Sequence, residues 1–269
     1  MKLSEAIKLL EDGKIDSPRH DARELFIRIG KKSALDLIGH DAECDSEELT
    51  QAVLRRKSRE PLQYIIGDVD FYRENYRVTP DCLIPRQETE LLVDYAVNHI
   101  PRGKRFLDLC TGSGCIAIST LKNTVETSAV AIDISDGALR VARSNSERNG
   151  VASRIEFIES DVLSYTPREK YFAILSNPPY VSEEAYEKLE EEIYREPKIA
   201  FVGRDSGLEF YKRILENCKR WIDPCGFFAF EIGFDQGEAL IGIANSHGMS
   251  CEIIKDFSGN DRVAIVKPQ

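Results

Sequence analysis

Asn177-Pro178-Pro179-Tyr180 brings together, in four consecutive positions, the groups needed to hold a planar amide or amine. The Asn177 side chain offers a carbonyl acceptor and an amide donor. Pro178 and Pro179 have fixed φ and no backbone N–H, which leaves their carbonyls as acceptors without a competing donor. Tyr180 supplies a flat face and a hydroxyl. Together these residues can grip a –C(O)NH2 group or a ring –NH2 by its two hydrogens and stack on its plane. The bland alternative is a proline turn that merely closes a strand.

A second cluster lies upstream in Leu107-Asp108-Leu109-Cys110-Thr111-Gly112-Ser113-Gly114. Its glycines permit a tight turn and close approach of backbone to a ligand, and a helix N-terminus after them offers free N–H groups. The spacing is Gly-x-Gly-x-x-Ala, so the third glycine of a dinucleotide fingerprint is missing. Asp133 follows about 20 residues later, where an acid can bind ribose hydroxyls. On these residues a nicotinamide enzyme and a nucleoside-binding transferase both fit, and so do glycines that only turn a strand into a helix. Two acids bear on the choice. Asp108, in the loop entry, favours a cation such as a sulfonium and disfavours a pyrophosphate. Asp161, after the next strand, can accept from an adenine amino group or simply make a turn.

These groups need a scaffold that delivers them to one crevice. From residue 104 onward the chain alternates strands and helices. Apolar runs predict strands at 105–110, 129–134, 155–159, 172–176 and 227–232, with helices at 115–122, 136–149, 208–222 and 236–246. Each chemical cluster sits just after one of these strands, where open α/β sheets bind ligands. Strands at 251–255 and 262–266 read as a closing antiparallel hairpin. Alternation of this kind implies a parallel sheet covered on both faces, with an antiparallel edge. Residues 1–60 show helical periodicity and no titratable cluster, which predicts a helical substrate-docking domain. Its helices are expected at the start of the chain as far as Gly13, at 18–29, at 34–38, and after a capping box at Asp45-Ser-Glu-Glu48. Residues 61–85 read as a linker with a β-hairpin turning around Glu74-Asn75, and 86–269 as the catalytic domain. The acidic stretch 183–197 is helical in pattern and follows the proline loop closely enough to cover it.

Composition narrows the partners. A formal net charge of −10 argues against a phosphate-binding surface. The one dense basic cluster, Arg55-Arg56-Lys57 with Arg59, reads as a solvated helix face. The seven cysteines are scattered with no Cys-x-x-Cys pair, so neither disulfide framework nor metal site is expected. No leader-like or membrane-spanning run is present, and the thiols suit a reducing, cytoplasmic setting. Nothing resembles a strong dimer seam, and a monomer is the expectation.

Asp108-x-x-Thr-Gly-Ser-Gly114, Asp133 and Asn177-Pro-Pro-Tyr180 resemble a class I S-adenosylmethionine-dependent methyltransferase acting on a planar nitrogen. More narrowly, the chain resembles the HemK/PrmC family, the protein-(glutamine-N5) methyltransferases of class 1 peptide-chain release factors. The supporting stretches are Pro61-Leu-Gln-Tyr-Ile-Ile-Gly67, Leu83-Ile-Pro-Arg-Gln-Glu-Thr-Glu90, Glu196-Pro197, Asp205-Ser-Gly207, Glu231-Ile-Gly233, Gln236-Gly237 and Gly259-Asn-Asp-Arg-Val263. The resemblance implies a Rossmann-like seven-stranded sheet with an antiparallel last strand, joined by a β-hairpin to the helical domain. It assigns Asn177 and the Pro178 carbonyl to the hydrogens of the acceptor amide, and Pro179 and Tyr180 to packing of the acceptor side chain. Cofactor contacts fall to Asp108, to Cys110, Thr111, Gly112, Ser113 and Gly114, to Asp133, to Asp161 with Val162, and to Asn177. Cys110 and Gln87 depart from the glycine and proline that many relatives carry there. Asn-Pro-Pro-Tyr is shared with adenine-N6 DNA methyltransferases, which is the rival reading; it calls for a basic cleft and a target-recognition domain. A non-catalytic docking protein that keeps a relict cofactor fold is a further rival.

Overall fold

The apolar spacing of the first part of the chain produces four α-helices: α1 (Leu3–Asp12), α2 (Pro18–Arg28), α3 (Glu47–Lys57) and α4 (Leu62–Ile66). Pro18 opens α2, where its missing N–H costs nothing. Ser46 caps α3 by accepting from the Leu49 N–H at 3.2 Å, one residue later than the expected box start. Leu10, Leu25, Phe26, Leu49 and Val53 close on one apolar core. The helix expected over 34–38 is a single 3-10 turn at Leu35–Leu37. Pro61–Gly67 does not open a linker but forms α4, ended by Gly67 at φ +90°. The computed structural model describes residues 1–269, and they divide into two compact units. One is Met1–Asp68 with Glu190–Arg195; the other is Val69–Leu189 with Glu196–Gln269.

In the helical unit the basic cluster is consumed internally. Arg56, buried, places Nε 2.7 Å from Asp21 and Nη1 3.3 Å from Glu192. Arg59 lies 2.9 Å from Glu192, and Arg55 pairs with Glu60 at 2.5 Å. Arg56 and Arg59 are thus held inside the unit by its own carboxylates, while Arg55, its side chain 49% exposed, stays on the solvated face that was expected.

A two-stranded ribbon, β1 (Asp68–Phe71) and β2 (Glu74–Arg77), follows. Its turn is at Tyr72-Arg73 (φ 46° and 74°) and not at Glu74-Asn75. Glu74 is instead drawn inward to Ser119 at 3.2 Å, and Asn75 donates to Asp70 at 2.8 Å.

The remaining elements are α5 (Glu90–His99), β3 (Arg105–Leu109), α6 (Cys115–Lys122), β4 (Ser128–Asp133), α7 (Asp136–Arg148), β5 (Ile155–Glu159), β6 (Tyr171–Ser176), α8 (Glu183–Tyr186), α9 (Glu209–Glu216), α10 (Cys218–Trp221), β7 (Ile222–Glu231), α11 (Gly237–Ser246), β8 (Met249–Lys255) and β9 (Asp261–Pro268). The seven-stranded sheet runs β5-β4-β3-β6-β7-β9-β8. All pairings are parallel except those of β9, which is antiparallel to both neighbours. Alternate residues of each strand bury on opposite faces. Phe106, Ala131 and Leu175 meet Leu92 and Ile118 on one side. Leu107, Ile132, Ile174 and Phe228 meet Tyr211, Ile214 and Leu240 on the other. Each such large side chain contributes about 2 kcal/mol on leaving water, so this double packing fixes the register of the loops. The helix expected over 208–222 breaks at Asn217, and β7 begins at Ile222. The register then jumps, from Tyr171 opposite Ile222 to Ala173 opposite Phe227, so Asp223–Gly226 loops out before the apolar run.

Candidate active site

Strand order reverses between β3 and β6, and at such a switch point the loops part to leave a crevice. Leu109 and Ser176 are register partners, so the loop after β3 and the loop after β6 start level. Ser176 Oγ donates to the Leu109 carbonyl at 2.7 Å and ties the two strand ends together. Asp133 is level with Glu159 on the next pair. The sheet therefore brings the glycine loop, Asp133, Asp161 and Asn177 to one edge. A cavity of about 360 Å³ opens there, lined by Cys110–Ser113, Asp133, Asp161, Val162, Asn177 and Pro179 among others. Its volume is that of a small-molecule site.

The glycine loop has the backbone its composition predicts. Gly112 and Gly114 take φ of 56° and 81°, and Cys110 adopts φ 59° in a conformation usually left to glycine. At Cys110 the chain thus takes a backbone geometry that glycine adopts freely, at a cost of roughly 1 kcal/mol. A Cβ at Gly112 would meet nothing within 4 Å, so bare backbone faces the cavity. Asp133 fixes this loop: its two oxygens accept from the Gly112 N–H (2.8 Å) and the Ser135 N–H (2.9 Å). Burial raises its pKa, against those hydrogen bonds. Each oxygen keeps a second lone pair for a ligand hydroxyl. Asp161 accepts from the Leu163 N–H at 2.9 Å, so it makes the turn and lines the cavity as well.

Three expected residues stand apart. Asp108 does not line the cavity: it is fully buried behind the loop and accepts from Thr111 Oγ1 at 2.5 Å. Burial pushes its carboxyl up to about 7. It shapes the loop from behind, which removes the argument that it meets a ligand cation directly. Gly114 caps α6, where a Cβ would press on Ile118 and Ala142. Pro178 is buried between Asn177 and Pro179 and lines neither cavity. Cys82, Cys110 and Cys115 do line the cavity, but burial holds their thiols well above neutrality, Cys82 to about 11 and Cys115 to about 12. They stay protonated and are no nucleophiles.

A narrower space of about 60 Å³ shares Leu83, Arg86, Asn177 and Ala200 with the large cavity and is closed by Tyr180 and Glu231. Asn177 faces both. Its Nδ2 donates to Thr89 Oγ1 at 3.4 Å. Glu231 accepts from Thr89 (2.5 Å) and from the Tyr180 hydroxyl (3.1 Å) on separate oxygens. Burial raises the Glu231 pKa, opposed by those two hydroxyls and by Arg262. The Tyr180 phenol is raised too, by burial and by Glu231, so it remains a donor.

The proline loop is held from outside by residues 200–207. Val181 N–H donates to Phe201 O at 2.9 Å, and Gly203 N–H to Val181 O at 3.0 Å. A Cβ at Gly203 would overlap the Pro179 carbonyl, and one at Gly207 the Tyr180 carbonyl. Asp205, Ser206 and Gly207 all take positive φ to make this approach. Gln236 Nε2 then donates to the Tyr180 carbonyl (3.0 Å) and the Ser206 carbonyl (3.2 Å). The wall beside the loop comes from Pro197–Arg204, downstream of most of the expected acidic cover. In the sequence these stretches, with Glu231 and Thr89, are points of family resemblance without an assigned role. The only local signal is a polar residue inside an apolar or turn-rich motif.

The PrmC N-terminal domain matches residues 2–67, and the Methyltransferase small domain matches residues 87–199. A release factor glutamine methyltransferase from Thermodesulfovibrio yellowstonii is 38% identical, covering 92% of this chain and 91% of the relative. One of the same name from Bacteroides thetaiotaomicron is 39% identical, over 86% and 85%. Among solved structures, a ribosomal protein L11 methylase from Lactobacillus delbrueckii subsp. bulgaricus gives a TM-score of 0.54 at 17% identity, covering 72% of this chain and 85% of that one, a likeness of fold alone. The chain belongs to the release factor glutamine methyltransferase family.

Proposed function

We propose that this chain is an S-adenosylmethionine-dependent enzyme that methylates the side-chain amide nitrogen of the glutamine in the Gly-Gly-Gln motif of class 1 release factors. The observation that carries the reading is Asn177, which faces both the large cavity and the narrow one. A group held there has its nitrogen at the junction of a cofactor-sized space and a side-chain-sized one.

The cavity fits the cofactor. Backbone at Gly112 and the flanking Cys110, Thr111 and Ser113 would hold the methionine part, Asp133 the ribose, and Asp161 with Val162 the adenine. Bound there, S-adenosylmethionine supplies an electrophilic methyl on a sulfonium. The chain's own task is the acceptor. An amide nitrogen is a poor nucleophile because its lone pair is delocalised into the carbonyl. Asn177 Oδ1 accepts one N–H, which raises electron density on nitrogen and fixes its direction. Family resemblance gives the second N–H to the Pro178 carbonyl, which is buried away from both cavities here and would have to turn toward the acceptor. Tyr180 packs the acceptor's methylenes. The N–CH3 bond forms as the sulfonium S–CH3 bond breaks. The surplus proton on nitrogen then leaves to bulk water, so no strong base is needed before transfer. Glu231 is not assigned that role, because both its oxygens are engaged by Thr89 and Tyr180.

The acceptor is taken to be protein, met by a monomer without nucleic acid in the site. Two features support this: the basic cluster of the helical unit is bound to its own carboxylates, and the net charge is −10. Residues 1–60 are read as the part that docks the factor, and 86–269 as the catalytic part. No helix is long and apolar enough to cross a membrane. The test is transfer of labelled methyl from S-adenosylmethionine to a purified, unmodified class 1 release factor, with duplex DNA in parallel and peptide mapping of the label. Label on the Gly-Gly-Gln glutamine is expected. Label on DNA adenine, or none on protein, would overturn the reading.

A further inference from the structure

The proposed chemistry needs an acceptor oxygen of Asn177, not its NH2, turned toward the incoming amide. A carboxamide is nearly symmetric in shape, so packing alone does not choose between its two ends. We infer that Thr89 and Glu231 form a positioning relay that sets which end of Asn177 faces the substrate, an inference that rests on the glutamine-methylating reading above.

The relay follows from counting donors. Two hydroxyls, Thr89 and Tyr180, converge on separate oxygens of Glu231, the pattern of a carboxylate that only accepts. Thr89 has one proton, and at 2.5 Å that proton is committed to Glu231. Its remaining lone pairs face Asn177 at 3.4 Å. An acceptor in that place welcomes the NH2 end of Asn177 and repels the oxygen end. Oδ1 is thereby turned away from Thr89 and presented as the acceptor. The contact is long, so each link is individually weak, yet the sense of the chain is fixed at its buried end. Thr89 and Glu231 are each only 2% exposed, which strengthens the hydrogen bond between them. Tyr211 donates to the Glu231 backbone carbonyl at 2.7 Å and holds the strand end that carries the carboxylate. Glu231 also binds the Tyr180 hydroxyl, so one anion sets both the amide-gripping group and the ring beside it. Turn the Thr89 proton toward Asn177 instead and Asn177 offers two hydrogens to a substrate that also offers two.

The variants Thr89→Val, Thr89→Ser and Glu231→Gln separate orientation from packing. Valine keeps the shape of threonine and deletes the acceptor. Serine keeps the acceptor and deletes a methyl. Glutamine keeps the shape of glutamate but places a donor against one of two donors. Steady-state methylation of the unmodified release factor by the full chain, S-adenosylmethionine binding by calorimetry, and thermal unfolding are measured on all three. Thr89→Val and Glu231→Gln are expected to lower kcat roughly tenfold, the scale of one lost hydrogen bond. KM for the factor and affinity for S-adenosylmethionine stay within about threefold, and Thr89→Ser recovers most of kcat. The relay is overturned by an unchanged kcat in Thr89→Val, by a Thr89→Ser as impaired as the valine, or by a loss explained by cofactor affinity. If Thr89→Val does not fold, Glu231→Gln against Thr89→Ser decides the same question: the relay stands if the glutamine variant alone loses kcat and falls if both or neither do. A wild-type chain that leaves the factor unmethylated sinks the functional reading itself; an active wild type matched by Thr89→Val sinks only the relay.

Discussion

The helical unit and the site of the larger unit handle buried charge in opposite ways, although the larger unit also buries Glu196 against Arg86. In the helical unit, Arg56 is buried against Asp21 and Glu192, and Arg59 shares Glu192, so cation meets anion. In the larger unit the buried acids Asp108, Asp133 and Glu231 find neutral donors: a threonine, backbone N–H groups, a threonine and a tyrosine. An ion pair closes on itself and has little left to offer a ligand. A carboxyl group held by hydroxyls and amides keeps lone pairs that shape a site, while burial disfavours its charge, as its raised pKa shows. Buried charge in the first unit holds structure, and the buried acids around the site of the second shape the loops that line it.

Each half of that contrast can be broken separately. The largest effect is expected from Asn177→Ala, which removes the acceptor and should cut turnover by roughly two to three orders of magnitude, the scale of losing one transition-state hydrogen bond. Cofactor affinity should fall only modestly, and thermal unfolding should not move; retained turnover would remove Asn177 from the chemistry. Next comes Arg56→Ala, which strands the buried Asp21 and leaves Glu192 to Arg59 alone. It should cost about 3 kcal/mol in chemical denaturation, while S-adenosylmethionine binding at a permissive temperature persists. A loss of cofactor binding with unchanged stability would invert the comparison.

Asp108→Asn tests the acids of the larger unit. The folded carboxyl titrates near 7 against an ordinary 3.8, so the native state holds a proton that the unfolded chain has released. Stability therefore falls as pH rises from about 4 to about 7, and the penalty is complete above that. The asparagine variant should lose this slope and gain up to about 4 kcal/mol at pH 8, about three pKa units at roughly 1.4 kcal/mol each, read from denaturation curves at several pH values. Parallel curves for wild type and variant would show that Asp108 does not carry the charge. The smallest change is Cys110→Gly. Relief of the φ 59° backbone and the flexibility of glycine oppose each other, so stability should shift by less than about 1 kcal/mol. Calorimetric unfolding that moves by much more would mean the thiol packing dominates.

The architecture is legible in the sequence wherever period and punctuation are local. The apolar runs mark the strands, and the positions just after them mark Asp133, Asp161 and Asn177 as neighbours, because parallel strands place their ends in one row. Local pattern misleads where tertiary pull overrides propensity. Glu74-Asn75 looks like a turn, yet Glu74 is taken by Ser119, and Tyr72-Arg73 accept the strained backbone instead. Spacing puts Asp108 in the site, but strand alternation turns its side chain into the interior. Thr89 and Glu231 lie 142 residues apart, and no short-range pattern marks two polar residues as partners across that distance.

The division of the chain also bears on its birth. Residues Glu190–Arg195 complete the helical unit. As the polypeptide leaves the ribosome, Arg59 therefore has no Glu192 until well over a hundred further residues have been added, and Arg56 has only Asp21. N-terminal units ordinarily settle first during synthesis. Here the first part of the chain to emerge waits on the later part for its last carboxylate.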